Sequence, residues 1–244
     1  MNGEKMMRGA AFIAAIAASF ASISLARAEP ITEEAARAAT DNAVNALKAG
    51  NPEAVIPLVD PVIATLEDMQ KDQTVQCADD LTGAIFLSAM QTAAMEKVPE
   101  KERRAASIVG PDFCAALFLK GFALIDLKRM DEAEAFLRRA HEAAPFNAHY
   151  LNEYAEWHKA MKQWEKSHEL FQEAFGLGEF STDKGMKKFN QARALRGMAF
   201  NEIEMGQLDK AEKNLRKSLK LLPDNAGAKS ELQYIADLKK KQKG

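Results

Sequence analysis

The side chains that could support catalysis or bind a metal are few, and their spacing keeps them apart. All four histidines lie between His141 and His168. His149 and His158 are nine positions apart, which is about 180° around one helix, so they point to opposite faces. His141 and His168 belong to two other predicted helices. We therefore expect no metal site and no cofactor.

Motifs for nucleophilic or nucleotide chemistry are absent as well. The chain contains no Gly-x-Ser-x-Gly, His-Glu-x-x-His, Gly-x-x-x-x-Gly-Lys or Gly-x-Gly-x-x-Gly pattern. Asp79 and Asp80 are neighbours on a predicted helix, so their carboxylates diverge and do not converge on a substrate. These observations predict that the protein is not an enzyme.

The composition narrows the class of protein that must position these side chains. The 244 residues are 47% hydrophobic and 28% charged, with a net charge of −2 and two cysteines. This excludes a disordered chain, a disulfide-rich miniprotein and a strongly basic nucleic-acid binder. Aromatic residues make up only 7%, and segments rich in Ala, Leu, Glu and Lys dominate, which favours an all-α fold.

Residues 1–28 have the layout of a secretory signal peptide. Lys5 and Arg8 precede an uncharged run from Ala10 to Leu25, and small residues flank Arg27. We predict cleavage after Ala28. An uncleaved membrane anchor is the alternative, but the run is shorter than the roughly 20 apolar residues that span a bilayer. We therefore expect a product without a stable membrane span after cleavage. The chain also has no Asn-x-Ser/Thr sequon, which favours the bacterial periplasm as its location.

A set of residues recurs in the second half at fixed spacing. In each set of four, the first, second and fourth residues are small and the third is large and apolar. The sets are Gly121, Ala133, Leu137, Ala140; Ala155, Ser167, Phe171, Ala174; and Ala199, Ala211, Leu215, Ser218. The second set follows the first by 34 residues and the third follows the second by 44. Pro145 and Pro223 close the first and third sets. Such periodicity indicates stacked helical hairpins, each burying its apolar side against the next.

This pattern resembles the tetratricopeptide repeat, a helix-turn-helix unit of 34 residues. The resemblance implies a right-handed α-solenoid with three units at 114–147, 148–181 and 192–225, within a repeat region spanning 112–225. Residues 226–244 then form a capping helix and a basic tail. The alternative for the tail lysines is a membrane-binding segment. The ten extra residues around Gly176 to Gln191 predict a long loop.

The first half, 29–111, predicts a divergent helical region without the small-residue register. Thr32 to Ala49 is expected to form a helix, and Asn51-Pro52 starts another that Pro61 breaks or kinks. Further helices are expected from Val75 to Lys97 and from Pro99 to Ile108. One or two divergent repeats would account for this order.

Cys77 and Cys114 are 37 residues apart, close to one repeat length. In the repeat family, the first helices of adjacent units run side by side, so equivalent positions come close together. In an exported protein this predicts a disulfide. Two buried free thiols are the alternative.

The resemblance also implies a binding surface on the first helix of each unit. Carried onto this chain, it comprises ten residues: Phe118, Phe122, Ile125, Asn152, Glu156, Lys159, Arg193, Arg196, Phe200 and Ile203. We expect a non-catalytic module of the cell envelope that binds a peptide or helix of another protein there, as a scaffold, assembly factor or chaperone-like adaptor, with no nucleic-acid partner. Phe118 and Phe122 could instead be core residues. The alternative function is binding of a cell-wall glycan or other small envelope ligand, with Tyr154, Trp157, Trp164 and the long loop as a stacking surface.

Overall fold

The computed structural model describes residues 30–242. Residues 1–28, the predicted signal peptide, lie outside this range, as do the last two residues. The described part contains ten α-helices and one two-stranded sheet. The predicted all-α solenoid is confirmed.

Eight of the helices form four hairpins in chain order. The helices are α1 (Glu33–Lys48), α2 (Val55–Asp72), α3 (Leu81–Glu96), α4 (Pro111–Asp126), α5 (Met130–Ala143), α6 (Ala148–Ala160), α7 (Trp164–Leu177), α8 (Lys184–Glu204), α9 (Leu208–Leu221) and α10 (Ala226–Lys241). The hairpins are α1/α2, α4/α5, α6/α7 and α8/α9, and α10 packs on α9. We call α1, α4, α6 and α8 the A helices and their partners the B helices.

The recurring residues lie where the two helices of a hairpin meet. All twelve are buried. A Cβ added at Gly121 would lie 2.8 Å from Cγ of Leu137, so α4 and α5 approach too closely there for any larger residue. At the equivalent contact in the third hairpin, the Ser167 hydroxyl donates to the carbonyl of Ala155 at 2.9 Å. Small side chains therefore set the distance between the helices, as the repeat pattern predicted.

Every hairpin has the same turn. The second residue after each A helix has positive φ: Gly50 (71°), Lys128 (62°), Lys162 (57°) and Gly206 (73°). The next residue donates its N–H to the carbonyl five positions earlier, as Arg129 does to Leu124 at 2.8 Å and Gln163 to His158 at 2.9 Å. This left-handed C-cap ends each A helix and reverses the chain.

The first hairpin belongs to the same repeat series, contrary to the expectation that its register is lost. Ala43, Val55, Val59 and Val62 have the spacing of the second-half sets and are all fully buried. Val replaces the small residue at two of the places, which is why a search for small residues misses the match. Asn51 caps a 3₁₀ turn at Pro52–Ala54 that leads into α2, and α2 continues unbroken through Pro61.

An inserted segment, not a second divergent repeat, separates α2 from α4. It contains β1 (Gln73–Cys77), α3 and β2 (Ala105–Val109), and the strands pair in parallel from Gln73↔Ala105 to Cys77↔Val109. The predicted helices over Val75–Lys97 and Pro99–Ile108 were therefore wrong at β1 and β2. In β1, Val75 and Cys77 are buried, and the residues before and between them are more exposed.

The extra residues between the third and fourth hairpins form helix more than loop. A 3₁₀ turn at Gly178–Phe180 is followed by α8, which starts at Lys184 with Asp183 as its N-cap. The expected long loop was wrong, because the Asp183 side chain accepts from the N–H of Met186 at 2.8 Å and starts the helix early.

The last helix covers the open end of the fourth hairpin. Ile235 of α10 is buried, and Leu232 and Leu238 pack beside it against α9. Lys239 does not project freely into water as expected. Its Nζ lies 2.6 Å from Asp209 and 2.7 Å from Glu212 of α9. Lys239 therefore joins α10 to α9 by two ion pairs.

The predicted disulfide is present. Cys77 and Cys114 are joined with their Cα atoms 6.1 Å apart. Cys114 lies in the first turn of α4, as expected, whereas Cys77 ends β1 and is not on a helix. The bond therefore ties the inserted segment to the repeat stack.

Candidate functional site

The ten predicted binding residues lie on three successive A helices, α4, α6 and α8. Nine of them are half-buried and one is fully buried. Half-buried side chains on one face offer contact area while their conformations are restricted, which lowers the entropic cost of binding. We call this surface the A-helix face.

Phe118 is mainly a core residue. It packs against two of the hydrophobic clusters. Its ring stacks on Tyr150 at 5.1 Å between centroids and meets the edge of His149 at 4.9 Å. Phe122 is one turn further along α4, and its ring centroid lies 6.1 Å from that of Phe118. Unlike Phe118, Phe122 does not belong to either of those hydrophobic clusters.

Asn152 does not belong to the accessible surface. It is fully buried, and its Nδ2 donates to the carbonyl of Ala148 at 2.8 Å and to that of Asn190 at 3.3 Å. It therefore connects α6 to α8, and a partner cannot reach its side chain. Its position on the A helix was predicted correctly, but the neighbouring A helix covers it.

A charged cluster fills the middle of the A-helix face. Glu156 and Arg193 each form ion pairs, Glu156 with Lys159 and Arg193 with Glu153. Arg193 also lies 4.0 Å from Glu156. Although burial opposes its charge, the hydrogen bond and charge of Glu153 raise the pKa of Arg193. Glu153 was not predicted as part of the site, although it lies one position from Asn152 and three from Glu156, which were.

Phe200 is held between this cluster and the next turn. Nζ of Lys159 lies 4.9 Å above its ring, and Trp164 packs at 5.9 Å from it. A cation over an aromatic face is attracted to the ring quadrupole. Phe200 is therefore a fixed, half-buried aromatic anchor with charged neighbours.

Arg196 and Ile203 extend the face along α8. Arg196 donates to Oγ of Ser218 at 3.4 Å, and burial next to Arg193 lowers its pKa. Ile203 packs with the cluster around α9 and α10. Beside it, Glu202 is buried, and it accepts from Asn214 at 2.9 Å and contacts His168 at 3.1 Å. These contacts provide hydrogen-bond partners for the buried Glu202 carboxylate.

The histidines are spread over three helices. His149 and His158 are on α6, His141 on α5 and His168 on α7. Within residues 30–242, no three His, Cys, Asp or Glu side chains are arranged to hold a metal ion.

The aromatic residues proposed for glycan stacking are occupied by packing. Trp157 is buried and donates its indole N–H to the carbonyl of Met130 at 2.9 Å. Tyr154 is buried with its hydroxyl 2.7 Å from Glu134. Trp164 packs on Phe200. These three rings do not form an open stacking surface, and the long loop that was to accompany them is mostly helix.

Comparison with known proteins agrees with this architecture. Residues 115–147 match the family model described as tetratricopeptide repeat. The matched segment runs from within α4 to the residue before α6 and lies inside the first unit drawn from the sequence, 114–147. No curated protein matches the chain.

Solved structures share the fold over most of the chain. PilF of Pseudomonas aeruginosa superposes with a TM-score of 0.58 at 15% identity, covering 85% of this chain and 70% of that one. The MamA 41-end structure from Desulfovibrio magneticus RS-1 gives 0.53 at 14% identity, covering 87% and 90%. The chain is therefore an α-solenoid of helical hairpins. One tetratricopeptide repeat is matched at residues 115–147, where the repeated residues predicted it, and over the rest of the chain the likeness is one of fold.

Proposed function

We propose that this protein is an exported, non-catalytic interaction module that holds a peptide or helix of another envelope protein on its A-helix face. The observation that supports this most directly is the pair of half-buried aromatic anchors, Phe122 on α4 and Phe200 on α8. Between them lies a charged cluster fixed by ion pairs. Aromatic anchors supply most of the energy at such interfaces, and neighbouring charges set the orientation of the partner.

The envelope location rests on the layout of residues 1–28 and agrees with the disulfide. Disulfides persist in oxidising compartments such as the periplasm. Among the described residues, no helix has the length and apolarity needed to cross a membrane. Cell fractionation, with the intact mass of the recovered protein, tests both the location and cleavage after Ala28.

Partner binding is tested by substitution on the A-helix face. The protein and its Phe122→Asp/Phe200→Asp variant are used in parallel to capture proteins from native envelope extract. A Leu81→Asp/Tyr234→Asp variant is the matched control, because both residues are exposed apolar side chains on helices, α3 and α10, that carry none of the ten residues. We expect a partner that binds the wild type and the control but binds the A-helix variant at least tenfold less, and whose isolated segment does the same.

The proposal fails if the folded A-helix variant retains every partner of the wild type. Circular dichroism and thermal melting establish that each variant is folded. Loss of binding by both variants would point to a different surface and would also contradict the assignment.

A further inference from the structure

Two segments that interrupt the regular repeat meet around a cavity of about 640 Å³. One is the insertion between α2 and α4, which contributes the end of β1 and the start of α3. The other is the 3₁₀ turn and the first turns of α8. A hydrogen bond of 2.9 Å from Thr182 Oγ1 to Asp80 Oδ2 joins them, although they are 102 residues apart in sequence. Neither segment is needed to form the hairpins.

One wall of the cavity is a cluster of three phenylalanines from three different parts of the chain. The ring centroids of Phe86 and Phe146 are 5.0 Å apart, those of Phe146 and Phe180 are 5.2 Å apart, and those of Phe86 and Phe180 are 5.8 Å apart. Phe86 remains 43% exposed and Phe180 54% exposed. Aromatic rings that pack together yet stay open mark a binding surface, and the volume is that of a small-molecule site.

The polar lining consists mainly of hydrogen-bond acceptors. Asn190 is only 5% exposed, and its Oδ1 has no partner. The buried Nδ1 of His149 also has none. Asp79 accepts from Nδ2 of Asn147 at 3.1 Å, and Asp80 accepts from Gly83 and Thr182. Among the described residues that line the cavity, no Lys or Arg balances these carboxylates.

The electrostatics of the cavity favour a positive charge. Desolvation raises the pKa of Asp79, and the charge of Asp80 adds to this against the hydrogen bond from Asn147. Burial lowers the pKa of His149, so its ring is neutral at pH 7 and offers an acceptor nitrogen. An ammonium group would supply both the N–H donors and the charge that these groups lack.

We propose that this cavity is a second ligand site, separate from the A-helix face, for an organic ammonium ion that carries an apolar group. The ammonium binds toward Asp79 and Asn190. The apolar group packs against Phe86, Phe146 and Phe180. A free amine and a lysine side chain or N-terminus of a peptide share this chemistry.

Calorimetric titration at pH 7 with 3-phenylpropylamine tests the assignment. The alcohol and carboxylate of the same carbon skeleton, 3-phenylpropan-1-ol and 3-phenylpropanoate, are the controls. We expect the amine to bind at least tenfold more tightly than the alcohol and the carboxylate not to bind. The dipeptide acetyl-Phe-Lys-amide serves as the peptide probe: tighter binding of the dipeptide identifies a protein segment as the source, and tighter binding of the amine identifies a small molecule.

Two cavity variants separate ligand binding from folding. Asp79→Asn is expected to lower the affinity for the amine at least tenfold. Asp79 is exposed, and the asparagine side chain can still accept from Asn147, so the melting temperature should not fall. Phe180→Ser, at an exposed ring, should weaken both the amine and the alcohol. The A-helix variant Phe122→Asp/Phe200→Asp should bind the amine as the wild type does.

Several results would overturn the proposal. Equal affinity for the amine and the alcohol would show that the positive charge of the ligand does not contribute to binding. Unchanged amine binding in the folded Asp79→Asn variant would do the same. No saturable binding of the amine or the dipeptide up to 10 mM would exclude the site.

Discussion

Gly197 is predicted to be the glycine at which substitution by alanine is most damaging. It lies in the interior of α8, where the helix packs against α7. A Cβ at this position would overlap the ring of Phe171, with Cζ nearest. Phe171 is fully buried and is among the largest such side chains in the described chain. The ring therefore has no open space into which it can move.

The size of the effect follows from two opposing contributions. Forcing an additional methyl group into a packed core costs roughly 1–3 kcal/mol, and displacing the Phe ring altogether would cost about 3–5 kcal/mol. Alanine recovers about 0.8–1 kcal/mol of helix propensity over glycine. We therefore expect Gly197→Ala to lower the free energy of unfolding by about 1–3 kcal/mol.

Gly176→Ala is the matched control. Gly176 also lies within a helix, near the end of α7, but a Cβ there would have no atom within 4 Å. This variant should gain about 0.5 kcal/mol. Urea unfolding followed by circular dichroism measures both variants. If Gly197→Ala were as stable as the wild type while Gly176→Ala behaved as expected, the close approach of α7 and α8 would be refuted.

Three further perturbations follow from the fold. Replacing Cys77 and Cys114 by Ser should lower the free energy of unfolding by about 3–4 kcal/mol in the chain-entropy model, and equal urea midpoints for the variant and the oxidised wild type would contradict this. Lys162→Gly should add about 0.5–1 kcal/mol by relieving a left-handed residue in the A–B turn of the third hairpin; a loss of stability would show that the lysine side chain contributes more than its strain costs. Burial lowers the pKa of His141 below its usual value, although Glu173 and Glu142 oppose this. The folded state therefore favours the neutral ring, so His141 costs no stability above pH 6.5 and lowers the free energy of unfolding as the pH falls. Thermal melting from pH 7.5 to 5 should therefore show a smaller loss for His141→Gln than for the wild type, and parallel curves would exclude this role.

The repeat could be predicted because each hairpin repeats the same packing requirement. The two helices approach closely at one place, where the three second-half hairpins carry a small residue. Ala133, Ser167 and Ala211 are buried at that place as the pattern predicted. In the first hairpin the same place is taken by Val55, which the helices accommodate. A pattern based on residue size therefore missed a unit that the spacing of buried positions reveals.

Partner binding by the ten A-helix residues stays a prediction. Nine of them are half-buried. Asn152 is not, because the adjacent α8 covers it. Helical periodicity gives the face of a residue on its own helix, but how far the next helix covers that face depends on the packing distance between the two.

The inserted strands could not be anticipated from local pattern alone. Gln73–Cys77 is short, and it becomes a strand because Ala105–Val109, across the whole of α3, lies parallel to it. Such a non-local pairing overrides local helix preference. The disulfide shows the same dependence: its two cysteines were identified correctly, although Cys77 lies on a strand.

The amino-acid sequence by itself determined the repeat, the helical class and the disulfide partners, because each depends on residue type at short or regular spacing. The cavity depended on tertiary structure. Asp80 and Thr182 are distant in the chain, as are Phe86 and Phe180, and only the stacking of the hairpins brings the two inserted segments together. Periodicity specifies how each unit folds, whereas the contacts between interruptions of that periodicity exist only in the assembled stack.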